Sequence, residues 1–284
     1  MDIFLNIIVL FSPNYDNKIV LGTTNKSIKL IDQFKYFYNS IKKNLNTIKY
    51  DISIVYFDDF NNDDITFLNS LEVNLLKINT NDIRICALNR YIVNTPIKGT
   101  HRLLCETDML LINEPIFNWN VDFQAMYAGN IYFNNTIINK FIKDFNINKL
   151  KNFNLNKNRD LFVSYVMKKK DKLELFPHFN NGLILIKEDF AGIVYNTLIN
   201  CNFINYIDSN FKNNKNICHL GPQVIISILT YELTDNWEPF KPGINYLLKS
   251  LDVNIFNKNN ITLIHYCGIN AGSLVKKIYP EYFK

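Results

Sequence analysis

Over the first 112 residues, short apolar runs alternate with segments of helical period, and this alternation limits the folds open to the chain more than any other feature. Asn6 to Phe11 is one such run, stopped by Ser12-Pro13-Asn14 and suited to a buried strand. From Ser27 the residues Ile28, Ile31, Phe34, Phe37, Tyr38, Ile41 and Leu45 recur three or four apart with lysines between them, which predicts an amphipathic helix. Strands are expected at Ile52 to Phe57, Val73 to Ile78 and Arg102 to Cys105. A second helix is expected at Ile83 to Val93, stopping ahead of Pro96. Strand and helix in turn give an α/β fold with a mixed, mainly parallel central sheet, and such sheets place ligands beyond the carboxyl ends of their strands.

Beyond residue 112 the pattern is more mixed. Phe123 to Ala128 and Leu173 to Ile186 read as strands, Asp189 to Ile199 and Pro222 to Tyr231 as helices, and Ile261 to Tyr266 as a last short strand. Asn130 to Asp160 is the stretch richest in Asn and Lys and reads as an irregular insertion or a pair of polar helices. No repeat and no Ser/Gly/Pro linker divides the chain, so a single domain over 1–284 is expected, its two halves at 1–112 and 113–284.

Composition sets the background for the motifs. Roughly one residue in six is Asn, and Lys, Ile, Phe and Tyr are abundant while Arg occurs only at 84, 90, 102 and 159. That is the signature of AT-rich codons, as in a large DNA virus or a protozoan. It lowers the weight of any Asn or Lys pattern, including the N-glycosylation triplets at Asn25, Asn134 and Asn260. The net charge of +5 comes from scattered lysines, with dense runs only at 168–170 and around 212–215, so no nucleic-acid partner is expected. Five cysteines without a C-x-x-C pair suit reduced thiols and a cytoplasmic protein, or a virion component if the source is viral. The apolar N-terminus lacks a basic start and a cleavage site and reads as a strand rather than a signal peptide. No run is long enough to span a bilayer.

The chemistry centres on Glu106-Thr107-Asp108, which separates Arg102 to Cys105 from the apolar Met109 to Ile112. Two carboxylates between apolar stretches must reach solvent, pair, or hold a cation. As a solvated loop or helix cap they carry no function. As hard oxygen ligands they suit Mg²⁺ or Mn²⁺.

The stretch from Ala87 to Asp108 resembles the region of GT-A glycosyltransferases in which a helix bearing a basic residue leads to a strand ending in a D-x-D motif. Three later segments are similar, in order, to motifs of the glycogenin-like retaining family 8. They are Phe179-Asn180-Asn181-Gly182-Leu183, Gly221-Pro222-Gln223 and Ile264-His265-Tyr266-Cys267-Gly268. The resemblance implies a GT-A fold and transfer of a sugar from a nucleotide sugar, a UDP-sugar first among donors, to a glycan, protein or small-molecule hydroxyl, with Mn²⁺ or Mg²⁺ as cofactor. It makes 1–112 the nucleotide-binding half and 113–284 the acceptor-side half, and it implies Glu106, Asp108 and His265 as metal ligands. Tyr15, Arg90, Thr107, Asn180, Gly182, Gly268 and Lys276 would line the donor, and Asn181 and Gln223 would sit at the reacting centre. Without the resemblance, His265 reads first as a hydrogen-bonded core histidine and Arg90 as a surface residue, Asn180-Asn181 could form a turn and Gln223 a helix start.

Two departures stand out. Glu106 adds a methylene to the first acidic position, and Pro222 replaces a family Asp, for which Asp122 or Asp189 could substitute. The lost carboxylate keeps a second reading open, a catalytically inactive GT-A-like binding or structural protein.

Overall fold

The computed structural model describes residues 2–11, 28–79, 90–91, 95–96, 98–131, 176–200, 221–248, 261–266 and 271–283. The elements are β1 (Phe4–Leu10), α1 (Leu30–Asn44), β2 (Lys49–Tyr56), α2 (Asn62–Asn69), β3 (Asn74–Lys77), β4 (His101–Cys105), β5 (Met109–Leu111), β6 (Phe123–Ile131), β7 (Phe176–Lys187), α3 (Glu188–Asn200), α4 (Gly221–Leu233), β8 (Trp237–Pro239), β9 (Tyr246–Leu247), β10 (Leu263–His265) and α5 (Ala271–Ile278), followed by a 3₁₀ turn (Pro280–Tyr282).

Seven strands form the main sheet in the order β3-β2-β1-β4-β7-β6-β8. Its ladders are parallel except where β7 runs against β4 and β6. The central strands are apolar on both faces because both are covered: Leu5, Ile7, Ile8 and Val9 are fully buried, as are Leu104 and Cys105. Each large aliphatic side chain buried in this way contributes roughly 1.5–3 kcal/mol. Along α1 the residues Phe34, Phe37, Tyr38 and Ile41 bury one stripe, with Asp32 in the first turn and Lys42 and Lys43 in the last, where they complement the helix dipole. The helix then ends, and Leu45 donates its N–H to Ile41 O at 2.9 Å.

A smaller sheet, β5-β10-β9, stands beside the large one. Its core of Leu110, Leu248, Ile264 and Tyr266 is closed by Ala271 and Val275 of α5. The chain passes from one sheet to the other within three residues: β4 ends at Cys105 and β5 begins at Met109. Glu106, Thr107 and Asp108 are that crossover, at the edge where the parallel strands end.

Several expectations need correction. The acidic Asn61–Asp64 stretch, which carries no apolar period, opens α2, where Asn61 caps the helix by accepting the Asp64 N–H at 2.8 Å. The strands β5, β8 and β9 have two or three residues and no sequence signature of their own. Asn130 and Ile131, placed in the irregular insertion by sequence, are the last residues of β6, and residues 132–160 lie outside the described residues. Most of the helix expected at Ile83 to Val93 also lies outside them.

Asp122 and Asp189, the candidate substitutes for a carboxylate at position 222, lie far from the crossover. Ile186, the register partner of Phe123, pairs with Arg102 near the start of β4, and Lys187 pairs with His101. Both aspartates therefore lie at the amino edge of the sheet, about 13 Å along the strands from Cys105. There Asp122 is held by Lys187 Nζ at 3.2 Å, Thr234 Oγ1 at 2.7 Å and Asn236 Nδ2 at 3.1 Å. No helix among the described residues is long and apolar enough to cross a membrane.

Candidate metal and donor site

At the carboxyl edge, β10 lies antiparallel to β5 with His265 opposite Met109, one residue beyond Asp108. Tyr266 N–H donates to Asp108 O at 3.0 Å and continues this ladder past its last strand residue. The pairing carries the imidazole to the crossover. His265 Nε2 lies 3.3 Å from Glu106 Oε2 and 3.3 Å from Asp108 Oδ1. Three ligand atoms, one from each residue, fall within 4.8 Å of one another.

The donor set fits a divalent cation. Donors on an octahedral ion with bonds near 2.1 Å are about 3 Å apart along an edge, close to the observed separations. Exposure is graded, with side chains 2% accessible at His265, 19% at Asp108 and 36% at Glu106, so the group has a buried wall and an open side. Two carboxylates this close together favour a cation between them, and an imidazole can complete the donor set.

Thr107 faces the other way. It is buried and donates to Gln33 Oε1 of α1 at 3.0 Å, while Gln33 Nε2 donates to Ile28 O at 3.2 Å. This bond pins the middle of the crossover to α1 and leaves the carboxylates on its open side. The Glu106 N–H donates to Gly182 O at 3.0 Å and ties the motif to β7.

Gly182 packs against the histidine. A Cβ at this position would lie 2.3 Å from His265 Cε1 and 2.9 Å from Nδ1, so no other residue fits while the ring stays in place. Asn180 Oδ1 accepts the Gly182 N–H at 2.9 Å. Asn181 is buried, and its Oδ1 has no protein partner among the described residues, an acceptor that costs free energy until water or a ligand donates to it.

Arg90 is fully buried and donates to Cys105 O at 3.0 Å and Asn181 O at 2.9 Å. It bridges the carboxyl end of β4 to the asparagine pair on β7. Its own backbone is held by Arg102, which donates to the carbonyls of Arg90 and Tyr91 and pairs with Glu188. Charge-assisted hydrogen bonds of this kind contribute about 1.5–3 kcal/mol each. Arg90→Ala, which removes two such bonds, should therefore lower unfolding free energy by about 3–6 kcal/mol in urea titrations, and Arg90→Lys should recover little, because one ammonium does not reproduce the fork that spans both carbonyls.

Burial pushes the Cys105 thiol well above its usual range, so it stays protonated behind the site and is no ligand. Burial, reinforced by Asp108 and Tyr36, likewise keeps the Tyr266 phenol protonated.

The structure thus brings Glu106, Asp108, His265, Asn180 and Gly182 together and places Arg90 and Asn181 directly behind them. Gln223, in the first turn of α4, is linked less directly. Its carbonyl accepts from Ser227 Oγ at 2.6 Å, and that oxygen accepts the Phe179 N–H at 2.8 Å. Lys276 packs 5.9 Å over the Phe283 ring, which touches Tyr266 edge-on. Tyr15 and Gly268 lie outside the described residues. One buried member was not anticipated from the sequence: Asn245, which bonds to both Asn180 and His265. Its only local signal is the preceding Pro242-Gly243 turn.

The architecture is shared with three solved structures. GlyE, a glycosyltransferase of Streptococcus pneumoniae TIGR4, superposes over 98% of this chain with a TM-score of 0.53 at 10% identity. The galactosyltransferase LgtC, solved with donor and acceptor sugar analogs, superposes over 98% of this chain and 95% of its own, with a TM-score of 0.52 at 9% identity. The chain has the GT-A fold. Mouse xyloside xylosyltransferase 1 matches this GT-A chain over 93% of its length and 97% of its own, with a TM-score of 0.50 at 10% identity. The chain spans 59% of the length of GlyE. No family model matches the sequence, and no curated protein does.

Proposed function

We propose that this chain is a metal-dependent glycosyltransferase of the retaining family-8 type. It would move a sugar from a nucleotide sugar, a UDP-sugar first among donors, to a hydroxyl of a glycan, protein or small molecule. The observation that carries this reading is the convergence of Glu106, Asp108 and His265 at the carboxyl edge of a GT-A sheet, the edge where open α/β sheets bind ligands. A bound Mn²⁺ or Mg²⁺ would supply Lewis-acid stabilisation of the departing diphosphate. Glu106 and Asp108, on the open side, and His265, in the wall, would hold the cation. Gly182 leaves room for the ring. Positioning and electrostatics would supply most of the rate.

A panel of nucleotide sugars incubated with Mn²⁺ and no acceptor tests the proposal. Slow release of a nucleoside diphosphate from one donor, abolished by chelator, is the expected result.

The placement of Asp122 and Asp189 at the opposite edge favours a second reading, a protein that binds the donor without transferring the sugar. That reading predicts a thermal shift with UDP and Mn²⁺ together but no hydrolysis of any donor. No shift and no hydrolysis would overturn both.

A further inference from the structure

A chain of hydrogen bonds behind the metal-ligand group determines which nitrogen of His265 carries its proton. The chain starts at a backbone group whose polarity is fixed. Gly182 N–H donates to the side chain of Asn180, so the atom it meets at 2.9 Å must be the carbonyl oxygen Oδ1. That same oxygen lies 3.1 Å from the Asn245 amide, so Asn245 must turn its Nδ2 towards it. The Asn245 carbonyl oxygen then faces His265 Nδ1 at 3.2 Å, and in the neutral ring Nδ1 must carry the hydrogen. The lone pair is left on Nε2, which faces Glu106 and Asp108 at 3.3 Å.

Reversing any one amide would set two acceptors or two donors against each other, and the reversal could not end short of the Gly182 N–H. Without this chain, the other tautomer would be favoured in the metal-free protein, because Nε2–H could donate to the two carboxylates. The chain opposes that arrangement and prepares the group for a cation. Asn245 itself is fully buried and sits at φ 58°, in the left-handed region that Asn enters more readily than most residues.

We propose that Asn245 is a positioning residue that holds the neutral His265 ring in its Nδ1–H form and so presents the Nε2 lone pair to a divalent cation at Glu106 and Asp108. This rests on the metal reading of that group made above. Partners behind a ligating histidine typically change metal affinity by about 10–100-fold when removed.

The test uses two readouts on the full chain. The first is two-bond proton–nitrogen NMR of His265 in the metal-free protein at alkaline pH, which distinguishes the tautomers. The second is Mn²⁺ affinity by calorimetry. The wild type should show the Nδ1–H pattern. Asn245→Gly keeps the left-handed backbone accessible but deletes the amide, and it should shift the ring towards Nε2–H and weaken Mn²⁺ binding about 10–100-fold. Asn245→Asp retains an acceptor for Nδ1–H and should keep the tautomer, at a cost in stability because its second oxygen replaces the donor to Asn180 Oδ1. If Asn245→Gly does not fold, Asn180→Ala, which frees the Asn245 amide from its anchor, should give the same change of tautomer.

An Nε2–H pattern in the wild type, or unchanged tautomer and Mn²⁺ affinity in Asn245→Gly, would overturn the proposal. Failure of the wild type to bind Mn²⁺ would instead overturn the metal reading, while the NMR pattern would still decide whether Asn245 sets the tautomer.

Discussion

Asp108→Asn should abolish the rise in melting temperature that Mn²⁺ and UDP produce together and should lower sugar transfer by about 10²–10³-fold, the scale expected when a group that organises transition-state charge is removed. The substitution keeps size and shape and removes only the charge. The backbone bond from Tyr266 N–H to Asp108 O does not involve the side chain, so the β5–β10 ladder survives. The side chain is 19% accessible and lies 3.3 Å from His265 Nε2, so stability without ligand should change by less than about 1 kcal/mol. A ligand that binds only the folded state at one hundred times its dissociation constant stabilises it by about 2.7 kcal/mol, and that contribution should disappear. Glu106→Gln should have a milder effect, because its longer side chain is 36% accessible and so less firmly placed. Thermal melts with each ligand alone and with both, alongside initial rates, decide the matter. A normal ligand-dependent shift in Asp108→Asn would remove Asp108 from the site.

Gly182→Ala should be nearly as damaging, for a steric reason. The added Cβ would lie 2.3 Å from His265 Cε1 and 2.8 Å from Asn180 Oδ1, so something has to move. β7 is held here by Glu106 N–H on Gly182 O and by Gly182 N–H on Asn180 Oδ1, so the imidazole ring is the part that moves. Overpacking of this kind costs about 1–3 kcal/mol of stability, and the displaced Nε2 should weaken Mn²⁺ binding by at least about a hundredfold. Gly192→Ala is the matched control. It lies within α3 with nothing within 4 Å of the added carbon, and in a helix Ala is favoured over Gly by about 1 kcal/mol. Calorimetry with Mn²⁺ and urea unfolding of both variants test the contrast, and unchanged Mn²⁺ affinity in Gly182→Ala would show that the ring does not need its present place.

Motif order pointed to Asp108, His265 and Gly182, and for the last two a scarce residue type helped. His and Gly are uncommon in a chain drawn towards Asn and Lys, so each such residue carries more information here than another asparagine does. Asn245 shows the converse. It is one more Asn in a turn, with no period or spacing to distinguish it, and its role exists only because Asn180 and His265, 65 and 20 residues away, meet around it. Arg90 lies between these cases. Its type and place suggested a contact with the donor, whereas the described bonds run to backbone carbonyls of β4 and β7.

By itself, the sequence determined the elements whose burial is local and periodic: β1, β2 and β4 as apolar runs, and α1 as a stripe. In these, backbone geometry sets which side chains share a face. The tertiary structure decided what meets what. It placed the crossover between two sheets at Glu106-Thr107-Asp108, set His265 opposite Met109, and sent Asp122 and Asp189 to the far edge. Strand pairing joins residues distant in sequence, and two- or three-residue strands such as β5, β9 and β10 are too short to show a period. Their partners are chosen by the packing of the whole chain, and the candidate metal site forms where those choices converge.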